Sequence, residues 1–458
     1  MRLDEYLDTV SEQIRYIKIR STVVKELENH ILDQAEAYEA CGAFPEEAME
    51  RAVREMGDPV ETGVSLDRIH RPQMSWGIVI VIGLISLLNI GLFYAAGTLS
   101  PSASYYYPWD KQAIFILAGF LLMLLVYRMD YSLLGKFGWK PTVIFLTTMI
   151  AGLLLLRRPI NGAYRFFLIG NFCVSVPEAM LLYIPLFGAA LYSFRGDGYK
   201  VLLKITPLIL IPCGFLWITP SIITAGILFF SLMCLFLFAV YKDWYHISKK
   251  SILGVSVSGL LIMPFIFLGY IYLFGEDYQV DRLQAFFSPS GLHDYIVNIA
   301  ENIRIGSSLI GTSENAAYYL TNGPTTHFLT DYVLVSMCSI YGIFLTIAIV
   351  SGLLMIVMKI FHISITQKNH LGMIIGIGCG ITFLVKMASS ILINLQIIPY
   401  FSISMPFISY GGSNTFVSYI LLGLVLSVYR YKNILPNESK IHKTKRRLRV
   451  SVHWETYD

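Results

Sequence analysis

Nine carboxylates in the apolar stretch between residues 75 and 430 fall in segments that the hydropathy pattern places on one side: Asp110, Glu178, Glu276, Asp277, Asp281, Asp294, Glu301, Glu314 and Asp331. Arg157, Arg158, Arg165, Arg282 and Arg304 share that side. A carboxylate within hydrogen-bond reach of a hydroxyl can take its proton as a general base. The fork of donors on arginine suits phosphate oxygens. A second group of residues stands in Pro406-Phe407-Ile408-Ser409-Tyr410-Gly411-Gly412-Ser413-Asn414, just before the last apolar span. There the proline fixes the entry, the glycine pair lets backbone approach closely, and Ser409, Tyr410 and Ser413 bring hydroxyls that a merely structural span does not need. Lys386 lies deep in an apolar run near Ser389, Ser390 and Asn394. An ammonium at that depth is expensive and is expected to face a polar cavity or a partner.

These residues must be positioned by a membrane bundle. Of 458 residues, 55% are hydrophobic and 14% charged, more apolar surface than a soluble domain of this size can bury. Ten spans are expected, at about 75–97, 112–127, 141–156, 179–194, 201–218, 221–241, 252–274, 331–358, 371–396 and 407–429. Lysine and arginine decide their orientation. With the N-terminus inside, the short inner connections carry Arg128, Lys136, Lys140, Arg195, Lys200, Lys204, Lys242, Lys249, Lys250, Lys359 and Lys368, and the basic stretch from Arg430 to Arg449 joins them. That bias is the positive-inside pattern. The expected product is a multi-pass plasma-membrane protein with both termini cytoplasmic. The one long polar segment, 275–330, then lies outside, where its apolar positions fit short helices at the membrane surface. The basic tail, 431–458, is read as a topology anchor attracted to anionic lipid and not as a nucleic-acid site. The six cysteines lack ligand-like spacing and read as small core residues. No cleavable signal peptide is expected, because the first apolar span begins near Trp76 after a polar stretch.

Residues 1–72 hold sixteen acids against nine lysines and arginines and form a separate helical unit. Leu3, Tyr6, Leu7, Val10, Ile14 and Ile17 follow a helical period, a second run continues through Val24, Leu27, Ile31 and Leu32, and Pro45 opens a further helix that Gly57-Asp58-Pro59 should stop. The pattern resembles the HAAS-type prefix domain of some bacterial membrane proteins. Such a unit could dock a partner or sense a signal, or it could be a solvated cap.

The Pro406–Asn414 string, in its place before the last span, resembles the signature of the SEDS family (FtsW, RodA and SpoVE). Further matches run along the spans. Gly162-Ala163, Arg165, Gly170 and Glu178 keep the spacing of the family's segment between the third and fourth spans. Pro220 to Ala225 parallels PDLGTA with Ser221 in place of the acid. Tyr278 to Leu283 resembles YQxxRL, Ile305 to Gly311 resembles IGSGGLxG, and Thr330-Asp331-Tyr332 opens the eighth span as TDF does. Departures stand at Leu181, where the family usually carries lysine, and at Ser339 and Ile340, where it carries an acidic pair.

The resemblance implies an all-α, ten-helix membrane domain over 75–430. It also implies glycan polymerisation from lipid II at the outer face of a bacterial plasma membrane, in division, shape or sporulation. The family's essential aspartate falls in a segment shortened here to Pro289–Tyr295, so Asp294 is its nearest equivalent and Asp281 the second choice. His293 is a titratable neighbour. Arg165, Arg282 and Arg304 become ligands for pyrophosphate, with Glu178, Asp331, Lys386, Ser409, Tyr410, Gly411, Gly412 and Ser413 lining the substrate groove. No metal ligands and no cofactor are identified, although a divalent cation could share the leaving-group charge. A transpeptidase-type penicillin-binding protein is the implied partner. Other roles stay open: Arg165 could snorkel to lipid headgroups and Glu178 could cap its helix. A flippase for lipid-linked precursors would use the same groove without a base, and a non-catalytic member would serve as regulator or scaffold.

Overall fold

A computed structural model describes residues 2–432, apart from 71, 100, 161–162, 171, 220, 276–279, 282–283, 285, 287–301 and 314–327. Four helices come first: α1 (Leu3–Gln13), α2 (Ile17–Ala40), α3 (Pro45–Glu55) and α4 (Pro59–His70). Tyr6, Leu7, Val10 and Ile14 are buried among them with Ile31, Ala52 and Val53, which follows the helical period of the sequence. The Gly57-Asp58-Pro59 stop ends α3 as expected and also starts α4, since proline lacks only an amide that a first turn leaves unbonded. Asp67 accepts the Arg15 amide at 2.9 Å, which ties α4 back to the end of α1.

The membrane part runs through α5 (Trp76–Leu99), α6 (Pro101–Tyr106), α7 (Trp109–Arg128), α8 (Ser132–Phe137) and α9 (Lys140–Leu156). It continues as α10 (Val176–Met180), α11 (Tyr183–Ser193), α12 (Lys200–Ile218), α13 (Ile222–Tyr241) and α14 (Lys249–Phe274), and it closes with α15 (Val333–Tyr341), α16 (Ile343–Ile365), α17 (His370–Asn394) and α18 (Gly412–Arg430). Among the described residues, eight helical stretches are long and apolar enough to cross a membrane. The third and seventh expected spans coincide with α9, which has 17 residues, and with α14, and these two stand outside the eight.

Two departures from the expected pattern shape the site. The 331–358 span is broken at Gly342, whose φ of 85° ends α15 and precedes α16. The break receives the Gly306–Ser313 segment: the Ile343 and Phe344 amides donate to the Ser308 and Leu309 carbonyls, and the Gly311 amide donates to that of Tyr341. A Cβ at Gly342 would lie 2.8 Å from Ile310 Cα, so only glycine fits the crossing. The connection between α9 and α10 folds as an antiparallel sheet, β1 (Arg157–Ile160), β2 (Ala163–Ile169) and β3 (Phe172–Ser175), in the order β1-β2-β3. Phe166 pairs with Ser175 and Ile169 with Phe172. Phe167 on β2 packs under Gly152 of α9 and fixes the sheet to the bundle.

α17 is the central helix, with 78% of its apolar window buried. α18 packs most extensively on α7. Where they cross, a Cβ on Gly423 would meet the Met123 carbonyl oxygen at 2.8 Å, and one on Gly119 would meet the Tyr419 ring at 2.6 Å. Small residues permit this close backbone approach, which is where membrane helices gain packing energy. Gly423→Val is therefore expected to destabilise the bundle by about 1–3 kcal/mol. Thermal unfolding in detergent measures it, and an unchanged midpoint would contradict the packing.

The two ends of the bundle differ. At one end Tyr16, in the turn between α1 and α2, meets the Tyr431 ring, with centroids 6.5 Å apart, just beyond the end of α18. The sheet, the Gly306–Ser313 segment and the start of α18 lie at the other.

Candidate functional site

The glycine pair and its neighbours form a bend between α17 and α18. Phe407 holds a φ of 64°, a left-handed conformation that costs energy for a bulky residue. Three contacts hold it there. The Phe407 carbonyl accepts from Asn89 Nδ2 at 2.6 Å, its ring stacks on Phe383, and Ser409 closes the turn behind it. The Ser409 hydroxyl accepts the Met405 amide at 2.7 Å and donates to the Thr330 carbonyl at 2.5 Å. Gly411, with a φ of 133°, then leads into α18 and donates its amide to Gln112 Oε1 at 3.2 Å.

The start of α18 forms one wall of a cavity of about 480 Å³. Tyr410, Gly411, Gly412, Ser413 and Asn414 line that wall. Arg165 and Phe166 on β2 with Cys173 and Ser175 on β3 line a second, and the two walls are joined where the Ser175 amide donates to Ser413 Oγ at 2.9 Å. Glu178 enters from the first turn of α10, and Asp331 with Ser402 and Ser404 from the approaches to α15 and α18. Ile222, Ile223 and Ile271 add an apolar side. A helix start concentrates free amides and partial positive charge, so this wall and Arg165 together favour an anionic group. Burial, and after it the nearby Asp110 carboxylate, raise the Tyr410 hydroxyl above its ordinary range. It is therefore a neutral hydroxyl at the cavity edge, wedged between the Phe93 and Tyr107 rings.

Both carboxylates in the cavity are held from behind. Asp331 is buried and accepts Tyr400 OH at 2.6 Å and Ser402 Oγ at 3.2 Å. Its backbone carbonyl accepts from Asn394 Nδ2 at 2.9 Å, while Asn394 Oδ1 accepts the Leu334 and Val335 amides at the start of α15. Glu178 accepts Lys386 Nζ at 2.6 Å on one oxygen and Ser404 Oγ at 2.7 Å on the other. Lys386 also donates to Asn414 Oδ1 at 2.9 Å.

Seven of the residues singled out from sequence thus line one cavity: Arg165, Glu178, Asp331, Tyr410, Gly411, Gly412 and Ser413. Ser409 is behind it as a brace. Lys386 is 3% exposed and reaches the cavity only through its partners. Glu178 is a polar anchor inside the bundle, since α10 begins without a side-chain cap. Asp281 and Arg304 are exposed and are absent from the described lining. Asp294 and Arg282 lie outside the described residues, as does most of the basic tail. Sequence reading did not single out Ser402, Ser404, Tyr400 or Gln112. Asn414 stood inside the quoted motif and was passed over, although an amide one turn into an apolar helix was a usable signal. Among the described residues no cluster of three or more His, Cys, Asp or Glu could hold a metal.

Comparison with known proteins bears on the family and the fold. The family model described as cell cycle protein, covering FtsW, RodA and SpoVE, matches residues 72–434. The chain is similar to the probable peptidoglycan glycosyltransferase FtsW of Trichlorobacter lovleyi, 21% identical over 80% of this chain and 96% of that one. It is also similar to the probable peptidoglycan glycosyltransferase FtsW of Bacillus subtilis, 23% identical over 78% of this chain and 89% of the other. Among solved structures, a chain of a peptidoglycan synthase complex superposes with a TM-score of 0.60 at 20% identity, covering 78% of this chain and 98% of that one. The rod-shape-determining protein RodA of Thermus thermophilus gives 0.54 at 18% identity, covering 78% and 97%. With its family model spanning every membrane helix, the chain belongs to the FtsW/RodA/SpoVE family of cell cycle proteins.

Proposed function

We propose that this protein is a peptidoglycan glycosyltransferase that polymerises lipid II at the outer face of the bacterial plasma membrane. The observation that carries the reading is the cavity at the sheet end of the bundle, where Arg165 and the amide-rich start of α18 face Glu178 and Asp331 beside an apolar wall. A polyprenyl pyrophosphate needs both kinds of surface, polar for the headgroup and apolar for the first units of the lipid. In the reaction a sugar hydroxyl attacks the anomeric carbon of a second disaccharide. Its proton passes to a carboxylate, the bond from that carbon to the pyrophosphate oxygen breaks, and polyprenyl pyrophosphate leaves with inversion. Asp294 is the base in this proposal and Asp281 the alternative. Arg165, with Arg282 and Arg304, receives the charge that builds on the leaving group, and a divalent cation could share it. A penicillin-binding transpeptidase is the proposed partner, and residues 1–72 are a HAAS-type prefix domain on the cytoplasmic side.

Purified full-length protein in detergent should convert lipid II into glycan polymer. No product with any divalent ion present would reject the reading, and lipid II translocation in vesicles without polymer would favour a flippase. Native cysteines check the orientation. Cys173 on the sheet and Cys41 beyond α2 are both exposed, so an impermeant thiol reagent on intact cells should label Cys173 and spare Cys41. The reverse labelling would put the cavity on the wrong side of the membrane.

A further inference from the structure

Among the described residues Lys386 is the most buried charged residue, and nothing in the reaction as described uses it. Its ammonium stands 2.6 Å from Glu178 Oε2 and 2.9 Å from Asn414 Oδ1. The Asn414 amide cannot turn, because its Nδ2 donates to the Met405 carbonyl at 2.9 Å. The other Glu178 oxygen is taken by Ser404. The result is a closed polar cluster joining α10, α17, α18 and the bend before α18, which presents Glu178 and Asn414 to the cavity while Lys386 stays behind them. Helix α10 carries no lysine or arginine of its own, and the next position, Leu181, is buried and apolar.

We infer that Lys386 is a positioning residue: reaching across from α17, it holds the Glu178 carboxylate in the cavity wall and neutralises it there. A carboxylate in an anion-binding wall without that counter-charge would repel a pyrophosphate. An ammonium at this depth without Glu178 would in turn be a buried, unpaired charge. The departure at Leu181 and the intramembrane lysine are then one arrangement, in which the cation for Glu178 comes from a different helix. The inference rests on the glycosyltransferase reading for its consequence in activity but not for the pairing itself.

Charge relocation tests it. In full-length protein assayed with lipid II in detergent, Lys386→Met should lower kcat by about 100-fold while KM moves much less, as expected for a misplaced group. Lys386→Arg should retain most of the turnover. Leu181→Lys alone should impair the protein by placing a second ammonium beside the first. In the Lys386→Met background the same Leu181→Lys should raise kcat by about tenfold, because a cation three residues beyond Glu178, at the residue that caps α10, can replace the lost one. That reversal of sign is not expected of a residue that only fills space. A Lys386→Met protein with wild-type kcat would overturn the inference, as would a folded double variant no better than Lys386→Met. If the wild-type chain makes no polymer, the glycosyltransferase reading fails and the pairing is judged separately by unfolding midpoints. Losses from Lys386→Met and Glu178→Gln that fall short of additive in the double variant support the pair, and fully additive losses overturn it.

Discussion

Asp294→Ala is expected to lower lipid II polymerisation by about 10²–10⁴-fold, the range associated with loss of a general base. The loss should fall on kcat, with lipid II binding retained, because a carboxylate that only accepts a proton in the transition state adds little to ground-state affinity. Asp281→Ala is the paired control. The Asp281 side chain is exposed and lies outside the described cavity lining, so its removal should cost far less. Initial rates of polymer formation across lipid II concentrations measure both. Full activity in both variants would reject the assignment of the base, and a severe loss confined to Asp281→Ala would move the role to that residue.

Arg165→Ala should have the second large effect, lowering kcat/KM by about 10²–10³-fold, as removal of a donor to a developing oxyanion does. Arg165 comes from the middle of β2, and its strand is pinned through β3 to the first turn of α18. Its guanidinium is therefore presented with the Gly412 and Ser413 backbone as one surface. Arg165→Lys should recover only part of the loss, since an ammonium is a point charge without the two-pronged geometry that phosphate oxygens match. If Arg165 only met lipid headgroups, lysine would substitute fully and alanine would cost little. Steady-state kinetics with lipid II separate the two cases.

The parts of this molecule that a sequence reveals are those set by local composition. Apolar runs mark helices, so α5, α7, α12, α13, α17 and α18 appear close to their expected positions. The Pro406–Asn414 string marks a bend whose residues line the cavity. The sheet has little local signature because its strands are only four to seven residues long and lie between two apolar spans. Its one local sign is Gly170, whose φ of 61° at the end of β2 is a backbone conformation that glycine adopts freely. The break at Gly342 has no local sign, since one glycine in an apolar run is tolerated in a helix. It is imposed by the backbone of Gly306–Ser313, which bonds to the chain on both sides of it. The partners of Lys386 were equally out of reach. Periodicity tells which side of a helix a lysine occupies, but Glu178 is 208 residues away and only the folded chain selects it.

Lys386 grips Glu178 and Asn394 grips Asp331, and both grips belong to α17. Eight residues separate them, a little over two turns, so the two side chains leave the helix about 80° apart around it and about 12 Å apart along its axis. One rigid rod thus works as a calliper, with one jaw on the Glu178 carboxylate and the other on the Asp331 main chain. The spacing of these two anchors is inherited from helical pitch and not from the length of any surface connection. Substitutions can accumulate in those connections without changing the gauge.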